Sequence, residues 1–364
     1  MDKELFVAIM AGGQGERFWP LSRQARPKQF LRLFGVSTLI EQTVLRLHGI
    51  VDDAHILIIT NAAYKDEIRR ILPDIPAENI ICEPCAKNTA PCVALASGVV
   101  KAKSVSANPV LIMLPSDHYI QNSSVMRRDL AAAVDAGVTY GKLLTIGITP
   151  DHPSPEYGYI QCGEAVAENI CNVEKFLEKP SVAKAEQLLA SGNYLWNAGM
   201  FVFPLSTLHA EFAIHAPQLL TLAENIAAAF GTPDFEKILA AEFNAAEKIS
   251  IDYALMEKSS NIMLRKAAFD WEDVGNWSAI KKYLTADECN NAANGKTVML
   301  DCRNSMIFCD PEADDDQLVA AIGLSETTVI KTADAILIAP NGELGKLRQL
   351  LAELRKEEKF LKHL

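Results

Sequence analysis

No apolar run in the 364-residue sequence approaches the ~20 residues that a membrane-spanning helix needs. The N-terminus, Met1-Asp2-Lys3-Glu4, lacks the basic-then-apolar pattern of a secretory leader. Positive charge is in deficit: 35 Lys and Arg stand against 46 Asp and Glu, a formal net charge of −11. That balance argues against a general binder of nucleic acid or of anionic membrane. The eight cysteines are scattered, which reads as reduced thiols in a cytoplasmic protein. Cys82-Glu83-Pro84-Cys85 is a C-x-x-C with Cys92 close by, but no second pair exists to complete a structural zinc site. Two common phosphate-binding fingerprints are also missing. No Lys-Ser or Lys-Thr follows the N-terminal glycines at P-loop spacing, and Phe18 stands where the dinucleotide fingerprint needs its third glycine.

What is present is an apolar run of strand length, Phe6–Met10, leading straight into Ala11-Gly12-Gly13-Gln14-Gly15 and then into a basic segment. Glycines allow close backbone approach and positive φ, so successive N–H groups can turn inward on phosphate oxygens. Arg17 and Lys28 would add full charge beside that cradle, and with Arg23 and Arg26 they make a local basic cluster in an acidic chain.

Short apolar runs alternate with amphipathic segments up to about residue 150. Strands are expected at Phe6–Met10, Ile56–Thr60, Ile80–Ile81, Val110–Leu114 and Leu143–Gly147. Helices are expected at Leu39–Leu47, Lys65–Leu72, Ala90–Ala102 and Met126–Thr139. This predicts an α/β fold: a Rossmann-like, mostly parallel mixed sheet with ligands beyond the carboxyl ends of its strands. From Tyr157 to Leu284, short β-like pieces (Tyr159–Cys162, Val173–Glu178, Met200–Pro204) interleave with helical stretches, an elaboration of the same domain. After the turn-rich Asn290–Gly295, regular short strands suggest a small all-β C-terminal domain, followed by a leucine stripe at helical spacing. The expected division is therefore an α/β domain over 1–285, to which the resemblance described below gives the catalytic role, and a β domain over 286–364.

Leu114-Pro115-Ser116-Asp117-His118 ends an apolar strand in a carboxylate, where Mg²⁺ could be held between protein and substrate phosphates. His118 is read as structural or as a support for a metal-binding carboxylate, not as a base. Asp270, Glu272 and Asp273 cluster beside Gly275 and two tryptophans.

Gly12-Gly13-Gln14-Gly15-Glu16-Arg17-Phe18-Trp19-Pro20-Leu21-Ser22, followed by Pro27-Lys28-Gln29, resembles the signature of sugar-nucleotide pyrophosphorylases, specifically their mannose-1-phosphate guanylyltransferase branch. The resemblance extends over nearly the whole chain. It implies that Asp273, in Asp273-Val274-Gly275-Asn276-Trp277, pairs with Asp117 on Mg²⁺. Glu83, Asn88 and Thr89, in Cys82–Pro91, are implied at the base and ribose, with Ala11, Gly12, Gly13, Gly15 and Ser116 also toward the nucleotide. Lys87 stands where the family more often has Arg. Tyr157, Gly158, Glu178, Lys179 and Asn197 are implied at the sugar phosphate, and Ser250–Glu257 completes the set of motifs. The family's C-terminal domain is left-handed β-helix-like and helps to form dimers, so a homodimer is expected. Longer members carry a further isomerase domain, and no isomerase activity is expected of this chain.

The resemblance thus implies transfer of GMP from GTP to mannose 1-phosphate, assisted by Mg²⁺, with Arg17, Lys28, Asp117 and Asp273 as the catalytic set. No nucleic acid or membrane partner is expected. Two alternatives stay open: the same chemistry on another sugar 1-phosphate or nucleotide, and a catalytically silent regulatory subunit that binds nucleotide-sugar. A dehydrogenase is excluded by the missing third glycine.

Overall fold

The computed structural model describes residues 3–13, 15–313 and 316–364; Gln14 of the glycine motif lies outside the described residues. The chain divides into two compact units. One comprises Met1–Gly12, Val44–Ser116 and Ile120–Trp271; the other comprises Gly13–Thr43, Asp117–Tyr119 and Glu272–Leu364.

The first unit is built on a nine-stranded sheet. Its opening elements are β1 (Leu5–Ala11), α1 (Leu39–Leu47, which straddles the division), β2 (Ile56–Asn61), α2 (Lys65–Ile71), β3 (Ile80–Glu83), α3 (Thr89–Lys103), β4 (Val110–Pro115), α4 (Ser123–Tyr140) and β5 (Leu143–Ile148). There follow β6 (Tyr159–Ala167), β7 (Ile170–Leu177), α5 (Val182–Ser191), β8 (Tyr194–Pro204), α6 (Leu205–His215), α7 (Pro217–Ala229), α8 (Phe235–Ala245) and β9 (Ile262–Lys266). The strand order is β3-β2-β1-β4-β8-β5-β9-β7-β6. The β3-β2-β1-β4 half is parallel, and β8 runs antiparallel to both β4 and β5. Because the chain builds outward from β1 to β3 and then returns to β1's other side with β4, the carboxyl ends of β1 and β4 form a topological switch point. Met10 lies level with Pro115 there.

The strands of the first half fall where the apolar runs place them. β1, β2 and β4 are buried on both faces, as parallel strands under helices must be. α3 is apolar all round because α7 covers the side that the sheet does not. A Cβ at Gly98 would lie 2.5 Å from the Ala223 carbonyl, so only glycine lets these two helices approach this closely. Two features depart from the expectation. β8 starts at Tyr194, six residues before the expected Met200, because pairing with β6 and β5 carries the strand through Asn197 and Gly199. β9, unannounced by the sequence pattern, inserts between β5 and β7.

The second unit contains α9 (Trp277–Lys281), β10 (Ala292–Ala293), β11 (Thr297–Leu300), β12 (Met306–Cys309), β13 (Val319–Ile322), β14 (Thr327–Lys331), β15 (Ile336–Pro340) and α10 (Leu347–Leu354). β11 pairs in parallel with β13, and β12 with β14; Thr297 faces Val319 and Met306 faces Thr328, the same offset in both sheets. Successive coils therefore stack in register, and β15 closes the second sheet antiparallel. Met306, Phe308, Ile330 and Leu337 share one core with Phe18, Trp19, Leu21, Leu31 and Trp277, and the leucines of α10 cover it. The basic segment after the glycines is thus packed on the C-terminal coil.

Candidate active site

In the second unit the charged groups converge on Lys28, which is 4% exposed. Its ammonium lies 2.9 Å from Asp117 Oδ2 and 3.6 Å from Asp273 Oδ1, and it also donates to the Asp273 backbone carbonyl. His118 Nε2 lies 3.4 Å from Asp273 Oδ1. One ligand atom from each of Asp117, His118 and Asp273 falls within 4.8 Å of the others. Burial pushes the Asp273 carboxyl up, but the His118 hydrogen bond, the Lys28 and His118 charges and Arg17 together hold it well below the usual carboxylate range. Two carboxylates kept close around a buried cation are a donor set that fits a hard divalent ion. His118, read from sequence as structural or as a support for a metal-binding carboxylate, is a member of this cluster.

Local backbone explains how Lys28 is held. Gly15 has φ +60, and a Cβ there would lie 2.6 Å from the Lys28 backbone nitrogen, so the glycine turn and Lys28 pack directly on each other. The Lys28 ammonium stands 5.9 Å from the centroid of the Phe18 ring, which packs edge-on against Trp277. Val274, a β-branched residue, has φ +53 with its side chain fully buried. Left-handed backbone at such a residue is strained and persists only where packing enforces it. The strain sits immediately after Asp273.

The expected basic cluster is smaller than four. Arg17 acts on Asp273, but Arg23 binds Asp334 (Nη1–Oδ2 2.8 Å), and Arg26 binds Asp310 (Nη1–Oδ2 2.8 Å) and Glu312. Arg23 holds Asp334 well below the ordinary carboxylate range, chiefly through that hydrogen bond. Arg23 and Arg26 therefore fasten the segment to the C-terminal coil rather than adding to a phosphate cradle. Sequence proximity to the glycines could not distinguish the two uses.

In the first unit, two groups of candidates form around separate carboxylates. Glu83, at the end of β3, faces Gly12: a Cβ at Gly12 would stand 3.4 Å from Glu83 Oε2. Glu83 Oε1 is buried without a hydrogen-bond partner among the described residues. Burial pushes the Glu83 carboxyl up to about 7, against a smaller lowering by the Cys92 thiol hydrogen bond. Ala11 is tied to β2, its carbonyl accepting from Thr60 Oγ1 at 3.0 Å. Asn88, at φ +70, caps α3 by accepting from the Thr89 N–H (2.8 Å). Thr89 Oγ1 accepts from the Ile251 N–H (2.9 Å), and Lys87 donates to the Ala246 carbonyl at the end of α8 (2.9 Å). The side chains of Asn88 and Thr89 are thus engaged in holding backbone. Ser116 is buried.

A carboxyl whose pKa is raised on folding destabilises as pH climbs. Below about 4.5 both states are protonated; between there and about 7 only the unfolded state has lost its proton, so stability falls across that window and is level above it. Glu83→Gln should remove this slope. The denaturant midpoint of the variant should match wild type near pH 4.5 and exceed it at pH 8, and equal midpoints at pH 8 would assign Glu83 an unshifted pKa.

The second carboxylate is Glu178, after β7. A Cβ at Gly158 would lie 2.5 Å from Glu178 Oε2, and the Gly158 carbonyl accepts from the Asn197 N–H at 2.8 Å. Lys179, at φ +43, pairs with Glu178. Asn197 Nδ2 donates to Asp252 Oδ1 (3.0 Å), and its Oδ1 accepts from Thr145 Oγ1 (2.9 Å). Tyr157 packs edge-on against Trp196 and Trp271. Burial, reinforced by Glu178, pushes Asp252 up to about 6. Asp252 and Thr145 join this group without having been singled out by sequence. Asp252 lay inside a quoted motif, but nothing local marked its carboxyl as the partner of Asn197.

The Nucleotidyl transferase family profile matches residues 7–289, and the MannoseP isomerase/GMP-like beta-helix domain profile matches residues 295–354. A mannose-1-phosphate guanylyltransferase of Klebsiella pneumoniae is 35% identical over 98% of this chain and 74% of its own length. The enzyme of that name from Escherichia coli strain K12 is 33% identical over 97% of this chain and 74% of its own length. A crystal structure of mannose-1-phosphate geranyltransferase from Thermus thermophilus superposes with a TM-score of 0.85 at 32% identity, covering 97% of this chain and 99% of that one. Likeness at this level over nearly the full length places the chain in the nucleotidyl transferase family, among the mannose-1-phosphate guanylyltransferases.

Proposed function

We propose that the protein transfers GMP from GTP to α-D-mannose 1-phosphate, releasing pyrophosphate and forming GDP-mannose. The observation that carries this reading is the buried Lys28 ammonium between Asp117 and Asp273, beside a glycine turn. A phosphate oxygen of the sugar phosphate attacks the α-phosphorus in line and pyrophosphate leaves. The nucleophile is already ionised near neutral pH, so no protein base is required. Catalysis then consists of positioning two anions and neutralising charge that builds on the α-phosphoryl and leaving groups. Lys28, Arg17 and the N–H groups of the glycine turn are assigned to the triphosphate.

Asp117 and Asp273 would hold Mg²⁺, with His118 orienting Asp273. When bound, the metal supplies charge opposite the phosphate oxygens. Glu83 is assigned to the base. Its buried, unpartnered oxygen is an acceptor suited to a guanine N–H, and adenine offers fewer donors on that edge. Glu178, Asn197 and Asp252 are assigned to sugar hydroxyls, and Lys179 to the sugar phosphate.

Pyrophosphate release should be measured with each of GTP, ATP, UTP and dTTP paired with mannose and glucose 1-phosphates. Strong preference for GTP with mannose 1-phosphate is expected. Preference for another pair would keep the phosphate and metal assignments and overturn those for base and sugar. No release from folded protein would favour a silent regulatory subunit. Gly158→Ala tests the sugar group separately. The new Cβ displaces the Glu178 carboxylate while leaving backbone room, so KM for mannose 1-phosphate should rise about tenfold, the worth of one hydrogen bond to a charged group. KM for GTP should hardly move; a matching rise for GTP would place Glu178 elsewhere.

A further inference from the structure

Cys162 lies on β6 and Cys171 on β7, the two strands of a hairpin that turns at Asn169 with φ +57. Cys162 is level with Val173, whose side chain shares a face with that of Cys171 two residues away. The cysteines are thus diagonal neighbours on one face of an antiparallel ladder. The register slips between Cys162 and Ala165, so this stretch of β6 is bulged. The two thiols act electrostatically on each other, and the Gly163 N–H on the Cys171 sulfur. Both cysteines are half-buried, neither sealed in the core nor fully exposed.

The surroundings give the two sulfurs different characters. The hydrogen bond from Cys171 brings the Cys162 thiol down to about 7, with the Lys266 ammonium helping and burial opposing. The same contact, with burial, pushes Cys171 up. Cys82 and Cys92 are pushed up by burial, which makes them poor nucleophiles.

We propose that Cys162 and Cys171 form a modification site, a dithiol that reacts with low-molecular-weight disulfides of the glutathione class and closes to an intramolecular disulfide. The Cys162 thiolate attacks one sulfur of the small disulfide; that S–S bond breaks, and one small thiolate leaves and takes up a proton. Cys171 then gives up its proton and attacks the Cys162 sulfur, expelling the second small thiol. Two protein thiols are oxidised and one small disulfide is reduced to two thiols. Excess small thiol reverses both steps. The bond crosses a hairpin whose open end is flanked by Gly158 and Glu178.

The test treats the full-length protein with oxidised glutathione, quenches with acid, alkylates the remaining thiols under denaturing conditions and maps peptides by tandem mass spectrometry. Expected are a cross-linked Cys162–Cys171 peptide, loss of alkylation at those two positions, and recovery of both after dithiothreitol. Cys171→Ser should stop at a stable glutathione adduct on Cys162, and Cys162→Ser should leave Cys171 alkylatable. An adduct on Cys162 of the wild type without ring closure, primary attack by Cys171, or full alkylation of both would each overturn the proposal. The wild-type map alone decides between ring closure and none should either serine variant fail to fold.

Discussion

Lys28→Ala should lower the turnover number for pyrophosphate release at least ~10²-fold, the loss seen when one preorganised electrostatic stabiliser is removed from an active site. Lys28 is 4% exposed, so its charge acts through protein rather than screened by solvent. It is placed by contact with Gly15 and held between Asp117 and Asp273. Removal takes away the cation assigned to the triphosphate and leaves Asp117 and Asp273 without it. KM for mannose 1-phosphate should change little, because Lys28 is assigned to the nucleotide. Lys28→Arg should not restore activity, since a planar fork cannot occupy the position of a compact ammonium. Thermal unfolding of the variant separates a lost charge from a lost fold. Near-normal turnover in folded Lys28→Ala would remove Lys28 from the catalytic set.

The largest effect on stability is expected at Asp129, a residue with no assigned substrate contact. Asp129, on α4, has no exposed surface. Its Oδ1 accepts from Arg265 Nε (3.2 Å) and Nη2 (2.7 Å), and its Oδ2 accepts from the Ala268 N–H (2.7 Å). Arg265, on β9, uses its remaining fork nitrogen on the Glu168 carbonyl (2.7 Å). Asp129→Ala strands a buried guanidinium and should cost about 3–5 kcal/mol. In urea this reads as a lower midpoint with unchanged slope. Replacing both partners with apolar residues of similar volume should be nearly neutral, because the desolvation cost of the pair disappears with its attraction. A loss below about 1 kcal/mol in Asp129→Ala would mean that water reaches Arg265 once the carboxylate is gone.

β9 also shows where reading the sequence stops. Its run, Ile262-Met263-Leu264-Arg265-Lys266, is short and ends in two cations, so periodicity alone does not announce a strand inside a sheet. It becomes one because β5 and β7 complete its ladder and Asp129 neutralises Arg265. β1, β2 and β4 were legible because strands covered on both faces must be continuously apolar. α7 forms for a similarly local reason: Pro217 starts it and an apolar stripe at helical spacing continues it.

For the candidate site the same division holds. The sequence by itself determined the α/β alternation, the glycine turn after the first strand, the carboxylate after β4 and the acidic turn near Asp273. These depend on side-chain periodicity and turn chemistry, which act over a few residues. Only the tertiary structure decided that Lys28 sits between Asp117 and Asp273, that His118 joins them, and that Asp252 meets Asn197. It also turned Arg23 and Arg26 away to Asp334, Asp310 and Glu312. The choice of counter-charge is made when distant segments close on one another. Every arginine beside a glycine loop looks alike until an acid from another part of the chain is brought within a few ångströms of it.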